Sequence, residues 1–203
     1  MSERRFTTPI SDAELRSLRI GDRVTLDGDL YGLRDATLIH MLDRGRTTRF
    51  DLAGHAVIHT APNVRRVPVS NANPCGYEAV CVGTTTSARM ERFTAPLLAR
   101  EGVRLIIGKG GMGAATLAAF RESGGAYLAI IGGTAALETT WIDAIVDVDL
   151  DDLNPESLWR FAVRGFGPLL VAMDAHGGSL YDAVDAVVAG RRAAALAKLG
   201  VTS

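Results

Sequence analysis

The stretch Leu105-Ile-Ile-Gly108-Lys109-Gly110-Gly111-Met112-Gly113-Ala-Ala-Thr116 constrains this chain more than any other, because an apolar run, a glycine cluster and a helix-forming run follow one another without a break. That succession is the unit of a parallel sheet with crossover helices. The same alternation continues on both sides. Ser87 to Glu101 has helical spacing, Val103 to Ile107 reads as a buried strand, Ala114 to Ser123 as a helix and Tyr127 to Ile131 as another buried strand. Leu169 to Met173 is a further strand candidate. Leu180 to Leu199 is an Ala-rich helix whose Arg191, Arg192 and Lys198 complement the dipole near its C-terminal end.

Upstream, to about Val69, the pattern is of short strands and turns. Asp12 to Leu18 has helical spacing behind Ser11 as N-cap, Arg23 to Asp27 alternates with a strand-like period of two, and Ala56 to His59 is a second strand. Between them Arg34 to Arg46 suits a helix lying on the sheet, with Leu38, Ile39, Met41 and Leu42 as its apolar face. Asn63 to Tyr77 is rich in turn formers and reads as a loop with Cys75 at its tip. The 203 residues, 47% of them hydrophobic, suit one α/β domain over 1–203, with an N-terminal arm over about 1–20 and the C-terminal helix over about 180–199.

A formal charge of -1 offers no bulk attraction to nucleic acid or to an anionic membrane, so any anion binding has to be local. The opening residues do not have the form of a secretory signal, and the apolar stretch Tyr127 to Leu137 is too short to span a bilayer. A cytoplasmic location is expected. Cys75 and Cys81 are the only cysteines, too few to hold an iron–sulfur cluster and unlike the close pairs of zinc sites. His55 and His59 share a strand face, but no Cys, Asp or Glu nearby completes a metal-ligand pattern.

The glycine cluster, with a lysine inside it, reads as a cradle for a carboxylate or phosphate. Gly108, Gly110 and Gly113 also satisfy the dinucleotide pattern G-x-G-x-x-G, the alternative of an oxidoreductase domain. Against it, the next strand ends in Ile131-Gly132-Gly133-Thr134, with no carboxylate for a ribose until Glu138. No Walker loop is present, since no Gly-Lys-Ser/Thr follows.

Gly108-Lys-Gly-Gly-Met-Gly is similar to the glycine-rich segment of L(+)-tartrate dehydratase beta subunits and of class I fumarase C-terminal domains, and other segments agree in the same order. These are Thr7-Thr8-Pro9-Ile10, Gly32-Leu33-Arg34-Asp35, Ile58-His59-Thr60-Ala61-Pro62 and Val82-Gly83-Thr84-Thr85-Thr86-Ser87-Ala88-Arg89-Met90-Glu91. Pro155-Glu156-Ser157-Leu158-Trp159, Phe166-Gly167-Pro168-Leu169 and Asp174-Ala175-His176-Gly177 follow. The resemblance implies a swivelling β/β/α domain, in which a mostly parallel sheet with crossover helices packs with a second sheet. It also implies a hydro-lyase acting on a C4 dicarboxylate, an alpha subunit that carries a [4Fe-4S] cluster, and an alpha2beta2 assembly with the substrate held between chains.

Dehydrating a hydroxy-dicarboxylate needs a proton-transferring group and positive charge for the aci-carboxylate. The matching positions are Thr85, Asp35 and Lys109 for catalysis, and Arg34, Arg89, Lys109, Thr86 and Gly110 for substrate binding, with no metal ligand on this chain. The guanidinium forks of Arg34 and Arg89 suit bidentate carboxylate recognition. His59 is expected to line the site as a hydrogen-bonded wall, and His176 either reaches it or is structural. Two departures from the family pattern stand out. Leu38 replaces a histidine, and Thr84 a proline. They leave a non-catalytic dicarboxylate-binding paralogue as an alternative.

Overall fold

The computed structural model describes residues 2–200. In chain order its elements are β1 (Glu3–Thr7), α1 (Asp12–Arg16), β2 (Arg23–Leu33), α2 (Asp35–Leu38) running into a π-helical turn at Ile39–Asp43, β3 (Ala56–His59), β4 (Asn63–Arg66) and β5 (Tyr77–Cys81). A 3-10 turn at Ser87–Met90 then leads into α3 (Glu91–Glu101). After it come β6 (Leu105–Gly108), α4 (Ala114–Ser123), β7 (Ala126–Ala129), α5 (Ala135–Thr140), β8 (Ile142–Asp149), β9 (Leu158–Met173) and α6 (Leu180–Lys198).

The short strands β3, β6 and β7 are apolar, His59 at the end of β3 excepted, because both of their faces are covered. Successive side chains point to opposite faces of a strand, and here they feed two separate cores. Ala56, Ile58, Leu105, Ile107, Ala126 and Leu128 enter one, with Trp159, Phe161 and Phe166 of β9. Val57, Ile106 and Tyr127 enter the other, with Phe93, Leu97 and Leu98 of α3 and Phe120 of α4.

Strands β1, β2, β3, β6 and β7 are mutually parallel, in that spatial order. β9 runs antiparallel to β7, to β8 and to β2, so β2, β3, β6, β7 and β9 form a closed ring of pairings around the first core. The molecule is thus mixed α/β, with a mostly parallel sheet carrying helices on one side and the antiparallel β9–β8 layer on the other. That layer is hydrogen-bonded into the same sheet instead of standing apart from it. No helix among the described residues is long and apolar enough to cross a membrane.

Several sequence expectations need correction. Residues 3–7, read as part of an arm, form β1, and α1 carries a capping box between Ser11 and Glu14. Asn63 to Tyr77 is not all loop, since β4 and β5 pair antiparallel at its ends. Cys75 is turned inward, its thiol donating to the Ile145 carbonyl at 3.1 Å. The helix expected over Arg34 to Arg46 is a short turn of α-helix followed by a π turn, with Leu38, Met41 and Leu42 buried as the pattern required. β8 was not legible as a strand. The strand expected over Leu169 to Met173 begins much earlier, since β9 runs unbroken from Leu158 to Met173.

Candidate functional site

The register of the parallel strands decides which residues share an edge. Leu33 lies beside His59, Ile58 beside Ile107, and Gly108 beside Ala129. Arg34, Thr60, Lys109 and Ile130 therefore leave the sheet at one edge, the carboxyl end of the strands, where sheets of this kind bind ligands.

The segment after β5 is laid across that edge by backbone hydrogen bonds. Thr84 bridges to Thr60, the Thr85 N–H donates to the His59 carbonyl at 2.6 Å, Thr86 bridges to Lys109, and the Ser87 N–H donates to the Lys109 carbonyl at 3.1 Å. Thr85 and Thr86 are thereby seated next to Lys109. One turn later Arg89 reaches the Asp35 carboxylate. Asp35 also accepts from Arg34 Nε at 3.2 Å, and that same nitrogen lies 3.3 Å from Glu156 Oε1. Glu156 in turn accepts from the Ala36 N–H at 2.7 Å, which fixes the start of α2.

Arg34, Asp35, Thr85, Thr86, Arg89, Lys109 and Gly110 are thus brought to one place, from segments about 75 residues apart at the extremes. Burial alone would raise the Asp35 carboxyl, but hydrogen bonds from Arg89 and Arg34 outweigh it and hold the group below the usual carboxylate range. Asp35 is consequently an ionised anchor for two guanidinium groups and a weak base. Three cations face two carboxylates here, Asp35 and Glu156, a local positive excess in a chain of net charge -1.

Beneath this edge lies a buried polar chain. His59 Nδ1 is 2.9 Å from Ser87 Oγ, the Tyr127 hydroxyl is 3.1 Å from the same oxygen, and Tyr127 and Tyr181 both donate to the Gly110 carbonyl, at 3.2 and 2.5 Å. These contacts tie the threonine segment to the glycine loop. His59 is buried, so it is a wall and not a surface acid. Its burial pushes it down from 6.5 to about 4, opposed by the Asp35 charge.

The sign of the resulting pH dependence follows from linkage. Unfolded, the imidazole titrates near 6.5, so between that value and about 4 the unfolded chain binds the additional proton. Stability is complete above about 6.5 and falls as pH drops toward 4, by up to roughly 3 kcal/mol. Thermal melts across this window should show the decline in the wild type and a flatter profile in His59→Gln. Identical profiles would remove His59 as the cause.

The helix beyond the glycine loop corrects one expectation. Two of the N–H groups at the start of α4 are already taken, since Glu91 accepts from the Gly113 N–H at 2.6 Å and from the Thr116 N–H at 3.1 Å. A pyrophosphate would meet this carboxylate where a dinucleotide site needs bare amides. The dinucleotide alternative loses its binding element. Of the loop, Lys109 and Gly110 remain turned toward the strand edge, with Gly110 at φ 74°.

Other candidates lie elsewhere. His176 is exposed and touches the Arg16 carbonyl at 2.7 Å, beyond Met173, which pairs with Tyr127 near the start of β7. It belongs to the opposite strand end from Lys109 and is structural. His55 Nδ1 lies 3.1 Å from the Ala53 carbonyl, and among the described residues no three His, Cys, Asp or Glu side chains form a metal-binding group. Leu38 is fully buried in the helix-side core, away from the charged edge. Glu156 was missed as a partner of Arg34. Its place in the motif Pro155-Glu-Ser-Leu-Trp was visible, but nothing in the sequence links it to a residue 122 positions earlier.

A mostly parallel sheet whose carboxyl edge gathers three cations and two threonines defines a mixed α/β domain with a positively charged strand edge. The chain belongs to the family described as Fumarase C-terminus, whose model matches residues 3–184. It is 38% identical over 176 residues to the L(+)-tartrate dehydratase subunit beta of Escherichia coli (strain K12), covering 86% of this chain and 85% of that one. A putative L(+)-tartrate dehydratase subunit beta of Methanocaldococcus jannaschii is 36% identical over 181 residues, covering 87% and 90%. A putative fumarate hydratase class I of Geobacillus stearothermophilus is 36% identical over 188 residues, covering 91% of this chain and 35% of that longer protein.

Proposed function

We propose that this chain is the beta subunit of a [4Fe-4S]-dependent hydro-lyase that reversibly dehydrates a C4 hydroxy-dicarboxylate, either tartrate to oxaloacetate or malate to fumarate. The observation that carries this reading is the meeting of Arg34, Arg89 and Lys109 with Thr85 and Thr86 at one strand edge, in a chain whose relatives bear the names tartrate dehydratase and fumarate hydratase. The domain is of the swivelling β/β/α kind, it works in a cytoplasmic alpha2beta2 assembly, and the site is completed by the alpha subunit.

The donor set of this chain does not fit a cluster. Its cysteines are two, and the Cys75 thiol is committed to the Ile145 carbonyl. The cluster is accordingly assigned to the alpha subunit, and no step below passes through it.

Within this chain, Arg34 and Arg89 are held at fixed angles by Asp35 and Glu156, so their guanidinium groups can orient one carboxylate of the substrate. Lys109 places an ammonium group where negative charge grows as the neighbouring C–H bond is broken. Thr85 is the proton-transferring group. Its alkoxide needs adjacent positive charge, and the backbone bridge of Thr86 to Lys109 supports that role for Lys109. Thr86 and the Gly110 backbone line the space between.

The test is anaerobic co-expression with the alpha chain, followed by assay of tartrate isomers, malate and fumarate. Turnover of at least one is expected. A stable complex that turns over none of them would overturn the reading in favour of a non-catalytic dicarboxylate-binding protein.

A further inference from the structure

α5 lies on the surface, and its one buried residue is not apolar but Glu138, with no exposed area at all. The inward position of such a helix is ordinarily taken by an apolar side chain. Glu138 Oε1 accepts from the Thr134 hydroxyl at 2.8 Å, while Oε2 has no hydrogen-bond partner, and among the described residues no cation forms an ion pair with the group. An ionised carboxylate with a buried, unpaired oxygen is costly, so these surroundings favour the neutral acid more than water does.

Its place in the fold gives this acid a use. α5 is packed against the segment that carries the threonines: the Val82 N–H donates to Thr139 Oγ1 at 2.8 Å, and a Cβ on Gly83 would stand 2.7 Å from the Ala135 Cβ. On the other side the Lys109 stem runs over the turn before α5, where a Cβ on Gly132 would lie 3.3 Å from Lys109 Cδ. The carboxyl group faces the Thr84 amide, the Thr134 hydroxyl and, as the one charged group among the described residues that acts on it, Lys109.

We propose that Glu138 is a positioning residue of the candidate site, whose carboxyl group props the Thr84–Thr86 segment from behind and, when it holds its proton, leaves the charge of Lys109 uncompensated for a dicarboxylate. Burial pushes the group up, against the Thr134 hydroxyl, the Thr84 amide and Lys109. When pH rises through its raised value, Glu138 ionises and neutralises Lys109, and dicarboxylate binding weakens. The proposal rests on the substrate-binding role given to Lys109 above.

Two measurements, the first on this chain and the second on its complex with the alpha chain, separate the proposal from that role. In the first, the infrared band of the protonated carboxyl that disappears in Glu138→Gln is titrated without substrate. A midpoint above the ordinary glutamate value of about 4.3 is expected, and a midpoint at or below it overturns the proposal whatever the substrate. In the second, succinate binding is followed by calorimetry through that midpoint. Wild-type affinity should fall about tenfold, the scale of one charge-assisted contact, while Glu138→Gln, which keeps shape and neutrality, should stay flat at the low-pH affinity. A merely structural Glu138 would leave the two pH profiles parallel, which overturns the proposal. Absence of succinate binding at every pH, with the infrared midpoint raised, overturns the Lys109 assignment and with it the site role of Glu138.

Discussion

Arg89→Lys in the assembled enzyme lowers kcat/KM roughly tenfold to a hundredfold, with most of the change in KM and little change in fold stability. The reason is geometric. In the native chain one edge of the guanidinium is committed to Asp35, and the planar fork leaves further N–H groups for a substrate carboxylate. An ammonium group is a single point that cannot hold Asp35 and present a second, parallel pair of bonds at once. Losing one charge-assisted contact costs about 1.5–3 kcal/mol, which sets the size of the kinetic effect. Stability changes little because the Arg89 side chain is half exposed and exposed ion pairs contribute at most about 1 kcal/mol. Steady-state kinetics together with a thermal melt check both halves. Unchanged kinetics would take Arg89 out of the site.

Gly108→Ala is expected to destabilise the chain by about 2–4 kcal/mol and to abolish whatever activity the assembly has. A Cβ at this position would stand 1.8 Å from Ser87 Oγ and 3.1 Å from the Tyr127 hydroxyl. Ser87 has no exposed surface and cannot turn aside without breaking its contacts to His59 and Tyr127. The displaced segment is the one that seats Thr85, Thr86 and Arg89 beside Lys109, so stability and function fail together. Urea unfolding measures the first effect. The double variant Gly108→Ala, Ser87→Ala removes the 1.8 Å clash and should recover part of the loss, which distinguishes a local collision from a general intolerance of side chains at 108. A loss below about 0.5 kcal/mol in the single variant would show that the loop yields where the packing says it cannot.

The parts of the fold legible in the sequence are those where burial alone dictates residue type. Leu105 to Ile107 and Tyr127 to Leu128 are apolar because both faces of each strand are covered, and Ala114 to Ser123 has helical spacing bounded by glycines at 113 and 124. β8 escaped notice because its sequence, Ile-Asp-Ala-Ile-Val-Asp-Val-Asp, places acids where a strand pattern calls for β-formers. Those acids are satisfied by distant partners, as when Arg49 takes both oxygens of Asp147 at 2.6 Å. Local pattern cannot anticipate such a pair.

The candidate site divides the same way. Arg34, Asp35, Thr85, Arg89 and Lys109 could be chosen beforehand because motifs in a shared order carry them. What the order could not supply is which of these groups are already engaged. Asp35 is an ionised anchor, Glu91 occupies part of the helix start that looked like an open cradle, and Glu156 braces Arg34 across the molecule. Glu138 appeared in the sequence only as a carboxylate too late for a ribose. Its burial gives it meaning.

If this chain supplies half of a catalytic site, as proposed above, neither chain works without the other. The direct measurement is activity during anaerobic titration of a fixed amount of cluster-bearing alpha chain with this one. Each chain alone should be inactive, and activity should rise to a plateau at one beta per alpha. Full turnover by either chain alone, or a rate that ignores added beta chain, would show that the site is not shared between the chains.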